Sequence, residues 1–241
     1  MNIALISGAS RGIGLEIAKL LDSYGLDELW LICGKNTPSY EFKTSIKIFH
    51  VDLGKQDSLT QISLALENEA PQIKYLICSA GVGYNGNLEN LTPEQIERTV
   101  CVNCSALTVL NRIAVPYMSE NGRIIEIASG AGFLPQPGFS VYSASKAYVI
   151  SLSRALGTEL AKRKIYVTAV CPGPVDTDFF SGLENVKEYK KKHLISPSSV
   201  AIGALKASKR KKKLFCPTFS MKMVHLASKI IPTGLILKFY K

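Results

Sequence analysis

Residues 2–14 read NIALISGASRGIG, and the reading of this stretch decides the fold. The apolar run at 2–7 has the length and composition of a buried strand. Gly8, Gly12 and Gly14 follow, with Ser10, Arg11 and Ile13 among them, and then Leu15, Ile17, Ala18, Leu20 and Leu21 recur at helical spacing. A strand, a glycine-rich turn and a helix in that order form the context of a dinucleotide site. The glycines permit a tight turn and let a pyrophosphate approach the backbone. The helix N-terminus offers free N–H groups and the positive end of its dipole. The spacing is G-x-x-x-G-x-G rather than G-x-G-x-x-G. Gly8, Ser10, Arg11, Gly12, Ile13 and Gly14 are the first candidate cofactor contacts.

Further along, the strand at 29–33 ends in Gly34-Lys35, with no carboxylate at its tip. A site for NAD places an Asp or Glu about 20 residues after the loop, on the ribose 2′-hydroxyl. Here Lys35 stands where a 2′-phosphate would lie, and Arg11 is a second cation. This pattern favours NADP(H) over NAD(H). More strands are expected at 46–51, 74–79, 123–128 and 165–171, with a short seventh near 214–216. Helical patterns lie between them, as in Leu59-Ile62-Leu66, Leu107-Leu110-Ala114 and Val149-Leu152-Leu156-Leu160. Such alternation predicts an α/β fold of the Rossmann type. Its sheet is doubly wound, seven-stranded and mostly parallel, with helices on both faces, in one domain over 1–241. Ser196-Pro197 reads as an N-cap with proline at N1, opening a helix to about Lys206.

Tyr142 and Lys146 are four residues apart on a helical stretch, so they share a face. An ammonium beside a phenol favours the anion, and Lys146 is expected to lower the pKa of Tyr142 and ready it for proton transfer.

With both ends in view, the chain resembles the short-chain dehydrogenase/reductase family from about residue 2 to residue 201. Seven motifs fall in order: Gly8-x3-Gly12-x-Gly14, Asp52-Leu53, Ala80-Gly81, Asn103, Ser129, Tyr142-x3-Lys146, and Pro172-Gly173-Pro174-Val175-Asp176-Thr177. The resemblance implies a catalytic set of Asn103, Ser129, Tyr142 and Lys146. Tyr142 would give its proton to a carbonyl oxygen, and Ser129 would donate a hydrogen bond to the same oxygen. Lys146 would hold the nicotinamide ribose, and Asn103 would position a water leading protons to the lysine. The resemblance also implies that Asp52 and Leu53 meet the adenine edge and that Ala80 and Gly81 leave space along the adenosine. Pro172 and Gly173 would back the nicotinamide, with Val175 and Thr177 reaching its carboxamide. Segment 178–195 would cover the substrate, and the helices near 104–119 and 141–163 would pair subunits into a dimer or tetramer. Two positions depart from the pattern: Cys78-Ser79 precede Ala80-Gly81 where the family often has two asparagines, and Ser7 stands where Thr is frequent.

A length of 241 residues with 46% hydrophobic and 20% charged residues suits one domain with a sizeable core. The start lacks the basic region of a secretory signal, and no transmembrane span is expected. Six scattered cysteines, several in apolar strands, suggest a reducing cytoplasm. Cys101-Val102-Asn103-Cys104 reads as a helix face rather than a zinc or redox site, and no metal is expected.

Charge is uneven. Residues 1–150 carry 11 Lys/Arg and 14 Asp/Glu, whereas residues 151–241 carry 18 and 5. Basic runs stand at 190–192 and 209–213, and an amphipathic extension at 217–241 has Met223, Val224, Ala227, Ile230 and Ile231 at helical spacing. Three readings follow. One is a solvated charged face with a terminal helix packed over the substrate cleft. The second is peripheral contact with the inner surface of a membrane. The third is docking of an acidic partner such as an acyl carrier protein. Nucleic acid is disfavoured, since the basic runs lack interleaved aromatics. His225 reads as a surface or packing residue. The leading function is an NADPH-dependent oxidoreductase interconverting a ketone and a secondary alcohol, on an apolar small molecule. The alternatives are a 3-oxoacyl-thioester reductase and, outside enzymes, a dinucleotide-sensing or membrane-surface binding protein.

Overall fold

The first strand, β1 (Asn2–Ser7), forms where the sequence places it, and five of its six residues are buried. Side chains of a strand alternate between faces, so burial of consecutive residues requires a layer on each side of the sheet. A computed structural model describes residues 1–181 and 194–238. The elements continue as α1 (Gly12–Leu21), β2 (Glu28–Cys33), β3 (Ser45–His50), α2 (Thr60–Glu69), β4 (Gln72–Cys78), α3 (Pro93–Val100), α4 (Leu107–Ala114), β5 (Met118–Ile127), α5 (Ser140–Glu159) and β6 (Tyr166–Val170). After them come a single turn α6 (Asp178–Ser181), α7 (Pro197–Lys209), β7 (Leu214–Phe215), α8 (Phe219–Ile230) and α9 (Thr233–Leu237).

The seven strands lie in the order β3-β2-β1-β4-β5-β6-β7, and every pairing is parallel. The winding reverses between β1 and β4, so a crevice opens at the carboxyl ends of those strands, the place where this architecture takes ligands. Helices α1 and α7 cover one face, packing Ile17, Ala18 and Leu21 with Val200, Ala204 and Leu205. Helices α2, α4 and α5 cover the other, through Ile62, Leu66, Leu107, Leu110, Val149 and Ile150.

Three features of this layout have identifiable causes. α7 opens with the Ser196 side chain accepting from the Ser199 N–H and with proline in its first turn, as expected, and runs on to Lys209. β5 starts at Met118 rather than 123, because Met118 pairs with Ile73 across a register shift. The intervening Asn121 has φ +61°, which is turn chemistry inside a strand, and this hid the early start. Residues 93–117 form one helical run that is long and apolar enough to cross a membrane by composition. Leu107, Leu110 and Ala114 of that run are packed on the sheet, and this packing accounts for its apolar character. Of the expected covering segment 178–195, residues 182–193 lie outside the described residues, as do the lysines at 190–192. Beyond them Ile195 forms an isolated bridge to Val175, apart from the sheet.

Candidate active site

The glycine turn is shaped by two close approaches. Gly8 has φ +67°, and a Cβ there would lie 2.7 Å from the Ala80 nitrogen. A Cβ on Gly14 would run into the Gly8 carbonyl oxygen, so α1 starts flush against the turn. The N-cap of α1 is Arg11, with extended backbone, no side-chain cap and no acidic residue in the first turn. By contrast, α3 carries a full capping box from Thr92 and Gln95. The first N–H groups of α1 are thus left to an external acceptor, and an anion fits there. The residues present match a dinucleotide pyrophosphate.

The other expected cofactor residues gather at the same edge of the sheet. Thr177 lies against the turn, its Cγ2 3.3 Å from where a Gly12 Cβ would sit. Lys35 follows β2 and is exposed, with the adjoining Gly34 carbonyl fixed by the His50 ring at 2.7 Å. Arg11 pairs with Asp178 at 3.0 Å. Both partners are about two-thirds exposed, so the pair is worth roughly 1 kcal/mol at most and leaves Arg11 available to a stronger anion. Asp52 accepts from Arg98 at 3.0 Å and from the Gly54 N–H at 3.0 Å, which holds its carboxyl below the usual range. Its oxygens serve the Arg98 pair, an engagement the sequence did not foretell. Leu53, Ala80, Val102, Ala106 and Leu107 line a narrow apolar hollow between the tips of β1 and β4 and helix α4.

Four residues come together beside this crevice. Asn103 sits in a π-turn (Cys101–Ala106) that joins α3 to α4, a device that re-aims side chains at functional sites. It is fully buried. Its Oδ1 accepts from the Val82 N–H at 2.9 Å, and its Nδ2 donates to the Val82 carbonyl at 2.8 Å and to Ser145 Oγ at 2.9 Å. The side chain therefore fastens the 80s loop to α5. Its link to the lysine runs past Gly81, where a Cβ would lie 3.2 Å from Lys146 Nζ and 3.4 Å from Asn103 Oδ1. Ser129 follows β5 in extended conformation, and its Oγ accepts from the Ala131 N–H at 3.1 Å. That contact leaves the hydroxyl proton to donate elsewhere, and its influence reaches Tyr142, whose anion it favours.

The geometry corrects one expectation. Burial pushes the Tyr142 phenol up to about 12, with the Ser129 hydrogen bond pulling only part of the way back. The charge of Lys146 on the same helix face does not outweigh that burial, so the net shift is upward. The ammonium donates to the Ile127 carbonyl at 2.9 Å and stands 5.7 Å from the Tyr142 ring centroid. Burial also brings Lys146 down to about 8, opposed by Cys104, Glu126 and Cys171. The reason is packing that the i, i+4 spacing does not report. The Tyr142 ring stacks on Phe139 at 4.3 Å, faces Phe179 at 5.4 Å and presses on Gly83. Phe139 is three residues before Tyr142 and was discoverable from helical spacing. Phe179 falls in the segment expected to cover the substrate, and Met221, which covers Gly130 and Gly173, falls in the terminal helix that one reading packed over the cleft, though neither residue was singled out. Phe133, whose ring lies 4.5 Å from His225, carried no sequence signal. His225 is a packing residue, and the inner face of α8 closes over the site.

The comparisons with known proteins agree with this arrangement. The family model described as short chain dehydrogenase matches residues 2–188. The 3-oxoacyl-(acyl-carrier-protein) reductase FabG of Rickettsia felis is 34% identical over 182 residues, 73% of each chain. The enzyme of the same name from Chlamydia muridarum is 30% identical over 217 residues, 84% of this chain and 88% of its own. Among solved structures, a short-chain dehydrogenase from Sphingobium yanoikuyae in complex with NADPH superposes with a TM-score of 0.81 at 26% identity, covering 98% of this chain and 95% of that one. A bulky-bulky ketone specific alcohol dehydrogenase from Comamonas testosteroni gives 0.78 at 27%, covering 98% and 94%.

Proposed function

This chain belongs to the short-chain dehydrogenase family, oxidoreductases acting on CH–OH groups, and on that footing we propose that it reduces an apolar ketone to a secondary alcohol with NADPH. The observation that carries the reading is the state of Tyr142: buried, neutral, set beside Ser129 and walled by Phe139 and Phe179. A phenol held near 12 keeps its proton at neutral pH, the form a general acid needs.

Gly8, Ser10, Gly12, Ile13 and Gly14 would hold the pyrophosphate, Lys35 and Arg11 the 2′-phosphate, and Pro172, Gly173, Val175 and Thr177 the nicotinamide end. A bound reduced nicotinamide supplies the hydride to the carbonyl carbon. Ser129 donates to the carbonyl oxygen, where negative charge develops. Tyr142 transfers its proton to that oxygen, since an alkoxide is the stronger base, and becomes a phenolate. The Lys146 ammonium, held by the Ile127 carbonyl, stabilises that phenolate until solvent returns the proton.

Support for NADPH is the cationic tip of β2 and the absence of a carboxylate there, together with the Sphingobium complex. Support for an apolar substrate is the aromatic wall and the Comamonas ketone enzyme. Val100, Val109 and Tyr148 leave apolar groups exposed on α3, α4 and α5, which fits pairing of those helices in a homodimer or tetramer. Six free thiols suit a reducing cytoplasm. A peripheral position at the inner face of a membrane is part of the same reading. A second substrate, a 3-oxoacyl thioester, is favoured by the acyl-carrier-protein reductases at 34% and 30% identity. A panel of bulky ketones, steroids and acetoacetyl thioesters, scored by nicotinamide absorbance, tests both. Turnover of ketones supports the first reading, turnover of thioesters alone replaces it with the second, and no turnover of any carbonyl removes both.

A further inference from the structure

Helix α8 has two unlike faces. Met221 and His225 point inward onto Gly130, Gly173 and Phe133, the floor of the candidate site. Phe219, Met223, Leu226 and Ile230 point outward, and they are 76%, 47%, 50% and 71% exposed. At about 100° per residue these four fall within an arc of roughly 60°, a stripe about 16 Å long. Lys222 and Lys229 flank the same edge of that stripe, and Ile231 and Leu235 follow in the chain beyond the helix, both exposed. Residues 189–241 contain no Asp or Glu at all.

We propose that the outward face of α8, followed in the chain by Ile231 and Leu235, docks on an anionic lipid bilayer. The proposal deepens the peripheral location given above and rests on that part of the reading alone. Apolar side chains at this spacing enter the headgroup boundary while the flanking lysines meet lipid phosphates. A two-fold contact between copies of this chain would set Lys222 and Lys229 near their own duplicates with no carboxylate on the segment to neutralise them. The larger basic run at 209–213 takes no part. Lys209 lies over the Tyr24 ring at 4.1 Å and Lys211 over the Tyr166 ring at 4.4 Å, at the amino end of β6, whereas Met221 covers Gly173 beyond its carboxyl end. Lys209 and Lys211 are thus set apart from Met221 by about the length of β6, roughly 16 Å, about two screening lengths at physiological salt. With its inner face on the site and its outer face on lipid, α8 would set the cleft at the bilayer surface, where an apolar ketone dissolves.

The test is co-sedimentation of the full chain with vesicles of phosphatidylglycerol and phosphatidylcholine, against vesicles of phosphatidylcholine alone. The anionic vesicles should bind it, with weakening as salt rises. Phe219→Ser with Ile230→Ser should lower the partition constant roughly ten-fold or more, and Lys222→Ala and Lys229→Ala about five-fold each. Lys209→Ala with Lys211→Ala and Lys212→Ala should leave it unchanged, with circular dichroism confirming that each variant is folded. No binding to anionic vesicles overturns the proposal, and so does binding that only the 209–212 variant loses. Capture of an acidic carrier protein by the α8 face, or dissociation of a dimer by the stripe variants, without vesicle binding, would also overturn it. Reductase activity is assayed separately without lipid, so its loss or absence leaves this result standing.

Discussion

Replacing Glu126 by Gln should abolish a specific pH dependence of stability. Glu126 lies on β5 and is 1% exposed. Asn111 Nδ2 donates to its Oε1 at 2.8 Å, while Glu126 Oε2 and Asn111 Oδ1 have no partner among the described residues. Two orphaned acceptors in one buried pair favour a carboxyl that keeps its proton, because the O–H turns one acceptor into a donor. Burial accordingly lifts Glu126 from 4.5 to about 7, against the opposing pull of Asn111, Cys78 and Lys146. The folded pKa lies above the unfolded one, so the folded state binds more protons between those values. The contribution to stability is full below the unfolded pKa and is lost as pH rises through the folded one. The rise from 4.5 to about 7 corresponds to roughly 3 kcal/mol. Gln keeps an oxygen for Asn111 and supplies a permanent donor, but does not titrate. Urea unfolding of both proteins at about pH 5 and about pH 8 gives the four free energies needed. On going to the higher pH the native protein should lose about 2.5 kcal/mol more than Glu126→Gln, the remainder having been lost already at pH 5. Groups common to both cancel in that difference. Parallel pH profiles would show that Glu126 is ionised in the fold and would refute the argument from its orphaned oxygen.

Two further outcomes concern the proposed chemistry. Tyr142→Phe should reduce kcat by roughly 10²–10⁴-fold and leave the NADPH dissociation constant, read by fluorescence titration, nearly unchanged, since the ring keeps its stack on Phe139. An unaltered kcat would take Tyr142 out of the proton transfer. Lys35→Ala should weaken NADPH by roughly ten-fold while sparing NADH, as expected for a lost charge-assisted bond to phosphate; an equal loss for both nucleotides would mean that Lys35 does not reach a 2′-phosphate.

The sheet was legible because its strands are apolar runs of the right length bounded by turn residues. Their parallel order followed from alternation with helices. Both signals are local, and local signals survive folding. The early start of β5 was not legible, because Asn121-Gly122 announces a turn while the pairing of Met118 with Ile73 depends on a partner far along the chain. The same division runs through the site. The i, i+4 spacing put Tyr142 and Lys146 on one face of α5, and they are buried together there. The direction in which the phenol shifts was misjudged, because it is set by burial against other segments, the ring of Phe179 and the backbone at Gly83 among them, which outweighs Ser129. Charge has the same limit. The run at 209–213 and the amphipathic helix are adjacent in sequence, and nearness along the chain does not report where the fold places each. Lys209 and Lys211 lie toward the amino end of β6, whereas β7 pairs with its last two residues and leads the chain on to α8 at the carboxyl end. What faces the ligand crevice is the smaller, more apolar of the two groups, and Lys222 and Lys229, rather than the conspicuous pentad, are the cations that a partner approaching the cleft along α8 would meet.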